Sequence, residues 1–527
     1  MKSSFKLLMT AIAVAGSLTG CQKYLEWYNH QGSGSEECPD FGNYVAGDFH
    51  QHSTFTDGSW SLPYVMAKDN YYDLDWWANS EHGGGFTRDG RHSGSDMNND
   101  TLYWDKEDGV TIQGTVKGDN IHQYMWRWQS IRDFAFPEVL NARTKYQPKV
   151  IIQGVEWNVP GHEHASVSII TNEFGVNPNA NSVSEFEYRF DNNDADVTGG
   201  AAQGWIKSTN TGHAKTLEAI SWLQTNHQKS SWVVPAHPER KSLYKISDFR
   251  DMNNAGPDVC FGFESMPGHQ KVADRGEYKL SSKTYGECTY GGTGAMAAKV
   301  GGMWDAMLSE GRHWWLFANS DFHDIAGDFF PGEYQKTYVS VSKKGDAQSI
   351  VDGMRSGNVY VVEGNLIKNL NFTIGNTQMG ETGYTSNGKI AIEIKIGLSD
   401  GLDHIDLIAG KLSGKIDPSD PKYNVDSVST TSVIARFDSK GGVKDANGIV
   451  SSKWNQVSNV IYIKYELKLT GDMYFRLRGT NWGLNTLNQT DANGNPLPDK
   501  LEYPNDASKA MADRWFYSNP IWIKLKK

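Results

Sequence analysis

The stretch Tyr44-Val45-Ala46-Gly47-Asp48-Phe49-His50-Gln51-His52 runs from an apolar, strand-like segment straight into two histidines one residue apart. Side chains on a strand change face at every residue, so the two imidazoles of His50 and His52 point the same way, an arrangement suited to gripping one cation. Asp57 follows five residues later. The pattern recurs along the chain. Leu74–Asn79 runs into Ser80-Glu81-His82, Val150–Val155 into Glu156, Trp232–Ala236 into His237, and Trp314–Ala318 into Asp321-Phe322-His323. His164 directly precedes a further strand-like run, Ala165–Ile170. Helical spacing of apolar residues marks Thr216–His227 and Ala297–Gly311, so strands alternate with helices and the expected class is α/β. In a parallel barrel the C-terminal strand ends converge on one face. A lone histidine at a strand end is commonly a hydrogen-bonded or surface residue. Several strand ends carrying His or carboxylate in one region point instead to bound metal. Imidazole and carboxylate donors without thiolate suit zinc, manganese or iron.

Six segments carry a resemblance: GDFHQHSTFTDGS (47–59), NSEHGGG (79–85), QGVEWN (153–158), GHEHASV (161–167), AHPER (236–240) and NSDFH (319–323). In order and spacing they resemble the motifs of the PHP (polymerase and histidinol phosphatase) family, over about residues 41–330. The resemblance implies a distorted (β/α)7 barrel with two or three divalent ions at the strand ends. It implies that His50, His52 and Asp321 hold one ion, that Glu156 bridges it to a second completed by His164 and His237, and that Asp57, His82 and His323 hold a third. Glu81 stands where the family commonly has Asp, and His162 is an alternative to His164. Metal clusters lower the pKa of a bridging water, so a metal-bridging hydroxide would attack phosphorus or a carbonyl carbon. The implied activity is phosphoester hydrolysis of a small molecule, with Glu156, His237 and Arg240 as catalytic residues. A carboxylic or carbamic ester hydrolase and a non-catalytic ligand-binding lipoprotein are the alternatives. Cationic donors for a phosphate are sought in Arg240, then in Arg88 and Arg91. Glu264 and His269 either line the pocket or support the barrel.

The remaining sequence sets the frame. The 51 Lys plus Arg against 62 Asp plus Glu leave a net charge of -11, which argues against a broad nucleic-acid-binding face. Lys2 and Lys6 precede a short apolar run, Leu7–Gly16, and then Leu18-Thr19-Gly20-Cys21. This looks like a bacterial lipobox, with Cys21 lipidated and the protein anchored in the cell envelope, at the outer membrane facing the periplasm or the exterior. Residues 1–21 are then a signal peptide, 22–40 a flexible tether, 41–365 the barrel, and 366–527 a β-sandwich. The last assignment rests on period-two alternation at Ile390, Ile392, Ile394 and Ile396 and at Ile461, Ile463, Tyr465, Leu467 and Leu469. Of 15 histidines only His404 lies after residue 330, so histidine chemistry belongs to the first part. Cys38, Cys260 and Cys288 allow one disulfide and a spare thiol. The 18 tryptophans read mainly as packing. The Asp491–Glu502 segment reads as an Asn/Gly turn rather than a calcium loop, and Asp191–Asp196 as solvated loop.

Overall fold

The computed structural model describes residues 40–97, 101–170, 181–272, 275–278, 288–398, 401–499 and 507–526. The expected signal peptide with Cys21, and the tether with Cys38, lie outside the described residues apart from Asp40. The chain divides into a short N-terminal unit, Met1–Gly42, and a body, Asn43–Lys527. Among the described residues no helix is long and apolar enough to cross a membrane.

The body begins with strand β1 (Tyr44–Asp48), whose neighbours are β2 (Trp76–Asn79), parallel to it, and then β3 (Val150–Trp157), parallel to β2. Next come β4 (Ala165–Ile169) and β5 (Ser231–Pro235), each antiparallel to the strand before it in the sheet. The sequence led us to expect a parallel barrel, and the reversal at β4 departs from that. Its cause is chain length. Residues 158–164 are too few for the crossover that a parallel connection needs, so the chain turns back on itself. Strands β6 (Gly262–Met266) and β7 (Trp315–Ala318) form a parallel pair, and β8 (Gln335–Ser340) lies antiparallel to β1. Helices α1 (Leu62–Tyr71), α2 (Phe136–Lys145), α3 (Ser182–Phe190), α4 (Gly212–Asn226) and α5 (Ile246–Ala255) intervene. The result is a mixed α/β body built from several sheets.

The sheet does not stop at residue 365. Strand β9 (Val359–Glu363) pairs with β8 on one side and, on the other, with a strand formed over 150 residues later, Trp515–Ser518. From there the ladder continues through Met473–Thr480, His404–Lys411 and Ser432–Asp438. The reason lies in the β9 sequence, Val-Tyr-Val-Val-Glu, which is apolar at nearly every position because both faces are covered. Val359 and Val361 enter the core of the first part, and Tyr360 and Val362 enter a second core. Trp515 and Tyr517 divide from Phe516 in the same way. The second core lies between this extended sheet and a five-stranded one that contains Lys389–Leu398, whose Ile390, Ile392, Ile394 and Ile396 all point inward. Twelve tryptophans, among them Trp76, Trp157 and Trp315, are fully buried, which makes packing their main role.

Two expectations about loops meet different fates. Asp191, Asp194 and Asp196 are buried, not solvated. Asp191 accepts from the Asn158 and Asn193 amides at 2.9 and 2.8 Å, and Asp194 takes the Lys207 ammonium at 3.0 Å. Asp196 gathers the amides of Thr115, Thr198 and Gly199. Acidic side chains spaced by Asn and Ala meet backbone and lysine donors here instead of water. The Asp491 carboxylate accepts from the Asn493 and Asn495 amides, an ordinary turn. Cys260 is a buried free thiol.

On the side of the first core, Arg476 makes a two-point contact with Asp305, at 2.8 Å for each bond, and both side chains are fully buried. Removing one partner strands a charge in a low-dielectric interior. Asp305→Ala should therefore lower unfolding free energy by about 3–5 kcal/mol, read from urea denaturation. A loss below about 1 kcal/mol, the range of a surface ion pair, would contradict that placement.

Candidate metal centre

The strand ends bring their polar residues to one place. The segment after β1 lies beside the segment after β7, with the His52 amide donating to the Phe322 carbonyl at 2.8 Å. His82 and Glu156 are bridged in parallel, and the Gly83 amide donates to the Glu156 carbonyl at 3.0 Å. Because β4 runs antiparallel, the residue at its start, not its end, reaches this face, and that residue is His164. The Ala236 amide donates to the His164 carbonyl at 3.0 Å and so draws in His237.

The Glu156 carboxylate is the hub. Its Oε1 lies 3.1 Å from His50 Nε2, 2.9 Å from His164 Nδ1 and 3.0 Å from His237 Nε2. Its Oε2 lies 3.3 Å from His52 Nε2 and 2.7 Å from His82 Nδ1. Asp321 Oδ1 faces His50 Nε2 at 3.1 Å and His52 Nε2 at 3.3 Å. Asp57 faces His82 at 3.1 Å and His323 at 3.3 Å. His52, Asp57, His82 and His323 form one set able to hold a metal ion; His50, His52 and Asp321 form another; Glu156 joins both His50 with His237 and His82 with His164. All nine residues that sequence reasoning proposed as ligands are thus brought together. His162 is not: its ring stacks on Tyr244, 5.0 Å between centroids.

Orphaned atoms show that these residues suit cations. His50 Nε2, both nitrogens of His52, His82 Nδ1, His164 Nδ1, Glu156 Oε2 and both oxygens of Asp321 are buried and meet one another without a well-formed hydrogen bond. So many unsatisfied buried atoms facing each other are costly unless something binds between them. The electrostatics agree. Burial pushes the Glu156 carboxyl up, but His164, His82 and His50 outweigh it and hold it well below the usual carboxylate range. Asp321 behaves alike under His50 and His269. Burial pushes the His50 imidazole down, yet Asp321, Glu264 and Glu156 hold it well above its ordinary value. His82 is held up by Glu156 and Asp57 against burial. His52 is lowered by burial and by His323 and His82.

A second layer orients the first. Glu264 accepts from His50 Nδ1 at 3.0 Å and is itself held by Asn319 Nδ2 at 2.6 Å, so its place is behind a ligand rather than lining the pocket. Sequence reasoning overlooked Asn319 and Asp48. Asp48 accepts from the His50 and Ser320 amides at 3.0 and 2.7 Å. Both stand two residues before a side chain of the cluster, Asp48 as the last residue of β1 and Asn319 just past the end of β7. Asp328 was also missed: it accepts from the His323 and Asp324 amides and pairs with His269 Nδ1 at 2.7 Å. No spacing marks it. His269 turns its other nitrogen to Asp321 Oδ2 at 2.7 Å. Glu81 accepts from Thr56 Oγ1 at 2.7 Å and from the Ser53 hydroxyl, which shapes the loop bearing Asp57. His237, His269 and Asp321 all have positive φ, a strain that clusters at functional sites.

The arginines separate clearly. Arg240 Nη2 stands 3.1 Å from His237 Nε2, with the guanidinium held by Glu163 at 3.2 Å and Glu277 at 2.9 Å. Arg88 is not a substrate donor in this geometry: it spends Nη2 on the Thr56 and Gly58 carbonyls and clamps the Asp57 loop. Arg91 is likewise committed, to Asp89, at 2.7 Å. The open side of the centre is marked by Asp57, half exposed, and by the partly exposed His82, His164 and His323; His50, His52, His237 and Asp321 form the buried wall.

Two outcomes follow. Glu264→Gln should weaken metal binding about 10- to 100-fold, measured by competition with a chelator, because it loosens the orientation of His50; unchanged affinity would remove Glu264 from that role. The raised imidazoles, His50 and His82, stabilise the metal-free fold fully below about pH 6.5, and that contribution fades as pH rises through their elevated values. Their protons leave over the same range and free the nitrogens for metal. The gain in Tm on adding zinc or manganese should therefore be larger at about pH 8 than at about pH 6; a gain that shrinks with pH would contradict it.

No family model and no curated protein matches the chain. Among solved structures it is similar to a two-domain protein from Bacteroides vulgatus ATCC 8482 containing a predicted PHP-like metal-dependent phosphoesterase, at 12% identity and a TM-score of 0.34, over 89% of this chain and 98% of that one.

Proposed function

We propose that this chain is a metal-dependent hydrolase of PHP type, with a barrel over residues 41–365 and a β-sandwich over 366–527, acting on phosphoesters of small molecules. The observation that carries the reading is the Glu156 carboxylate surrounded by five imidazoles, with a guanidinium at its rim. His50, His52 and Asp321, then Glu156, His164 and His237, then Asp57, His82 and His323 would hold two or three divalent ions, zinc, manganese or iron. Bound there, such ions supply Lewis-acid polarisation of the substrate and a water of lowered pKa.

The chain's own residues do the rest. Arg240, held by Glu163 and Glu277 against the His237 edge, offers a pre-placed positive charge to the non-bridging oxygens of a phosphoryl group. A guanidinium at the edge of the centre favours phosphoesters over the carboxylic or carbamic ester alternative. The buried wall excludes bulk water, and the half-exposed Asp57 marks the side from which substrate enters. Anchoring through a lipid on Cys21 in the bacterial cell envelope is part of the same proposal and rests on Leu18-Thr19-Gly20-Cys21.

Metal-loaded protein should hydrolyse a chromogenic phosphomonoester or phosphodiester faster than a carboxylic ester. His50→Ala with Asp321→Ala should abolish that turnover, and Arg240→Ala should lower kcat/KM for the phosphoester by roughly 10- to 100-fold, the value of one charged hydrogen bond. Ester turnover alone would transfer the reading to the ester hydrolases. No turnover on any substrate would favour a ligand-binding lipoprotein, and full turnover in the double variant would remove this centre as the active site.

A further inference from the structure

A second histidine cluster lies outside the centre. His162, on the loop between β3 and β4, and His213, in the first turn of α4, face each other with Nε2 and Nδ1 2.8 Å apart. Their outer nitrogens are already committed. His162 Nδ1 meets the Leu243 carbonyl at 3.1 Å, and His213 Nε2 meets an Asp251 carboxylate oxygen at 3.3 Å. A carbonyl accepts only, and an ionised carboxylate accepts only, so both outer nitrogens carry hydrogen. In the neutral rings the two inner nitrogens then present lone pairs to each other. Such a face-off is repulsive unless a metal cation or a shared proton sits between the rings.

The surroundings select the cation. Ligating imidazoles characteristically donate their other N–H to a carbonyl or a carboxylate, which fixes tautomer and ring angle; His162 and His213 do one each. A third donor is at hand: one nitrogen from each imidazole and an oxygen of Asp248, on α5, all lie within 4.8 Å of one another, and because Asp248 Oδ2 now lies nearest His162 Nδ1, at 3.8 Å, the carboxylate would swing toward the inner nitrogens to complete a site. Asp248 is engaged by the Lys245 amide at 2.8 Å, which leaves lone pairs for a further bond. Tyr244 lies flat against the His162 ring and holds it by the Glu163 and His164 carbonyls, 3.0 Å each. His213 is about one-third exposed, so solvent and ions reach the pair.

We propose that His162, His213 and Asp248 form a separate zinc-class divalent site, outside the Glu156 centre, that ties the loop bearing His164 to α4 and α5. Two imidazoles and one carboxylate with an open fourth position suit zinc. Tetrahedral geometry with zinc–nitrogen bonds of about 2.0–2.1 Å needs the two nitrogens about 3.3 Å apart, so the rings part by about half an ångström on binding. The proposal does not depend on the hydrolase reading, because no residue is shared between the two sites.

The test counts metal. The wild-type chain and His213→Ala are equilibrated with zinc, desalted, and analysed for zinc per chain by mass spectrometry, each also in the His50→Ala/Asp321→Ala background. His213→Ala should carry one zinc fewer than its parent in both backgrounds, and the rise in Tm on adding zinc should shrink with it. A loss confined to the His50→Ala/Asp321→Ala substitution, with none from His213→Ala, would overturn the proposal while sparing the Glu156 centre; the pair would then share only a proton. Should His213→Ala fail to fold, His213→Gln, which keeps size and hydrogen bonding, is read the same way.

Discussion

One buried carboxylate governs the architecture of the centre. Glu156 is fully enclosed, and an ionised carboxylate in such a place is tolerable only when opposing charge or strong donors surround it. Five imidazoles do so, but imidazoles are short-range partners that must converge from different directions. No single element can supply them. They come from the ends of β1, β2 and β5 and from the start of β4. The fold is therefore constrained to hold several strand ends within a few ångströms, and the second layer of Asp48, Glu81, Glu264, Asn319 and Asp328 fixes them there. Much of that layer is ionisable and buried in its turn, so charge compensation extends outward until it meets backbone amides.

The reversal at β4 shows how a local constraint serves the same end. A seven-residue loop forces an antiparallel return, and in a strand that runs the other way the face shared by the ligands lies at the beginning. His164 occupies that beginning. Close backbone approach matters as well. A Cβ on Gly268 would lie 1.8 Å from the Ser320 carbonyl, so glycine there lets the chain before His269 lie against the loop of Asp321. A Cβ on Gly83 would meet the Asp191 carboxylate at 2.0 Å, and this contact seats the loop after His82 on the buried acidic cluster.

The clustering of these side chains was legible in the sequence because its grammar is local: an apolar run of strand length followed within a few residues by His, Glu or Asp. The alternating isoleucines of 390–396 were legible for the same reason. What stayed hidden depends on distance along the chain or on burial without periodicity. The pairing of Val359–Glu363 with Trp515–Ser518 joins segments over 150 residues apart, and nothing in either names its partner. The burial of Asp191, Asp194 and Asp196 reads from composition as a polar loop, since only tertiary packing shows that amides rather than water satisfy them. Arg88 and Arg240 look alike in sequence, each a few residues past a histidine of the cluster; one closes on the Thr56 and Gly58 carbonyls and the other lies against His237.

The continuity of the sheet also settles how the C-terminal part relates to the site. Strand β9 has no free edge: β8 covers one side and Trp515–Ser518 the other. Without the C-terminal strand, β9 would present open amides and carbonyls, and Val359 and Val361 would keep their cover while Tyr360 and Val362 lost theirs. Since β8 pairs with β1, any slackening of that edge is only two strands from His50 and His52. The buried Arg476–Asp305 contact and the Arg250–Glu310 pair, whose guanidinium also donates to the Val425 carbonyl at 3.2 Å, fasten the same junction elsewhere. The second core is in this sense a buttress for the strands that carry the clustered His, Glu and Asp side chains, and its presence is explained by packing before any binding role is assigned to it.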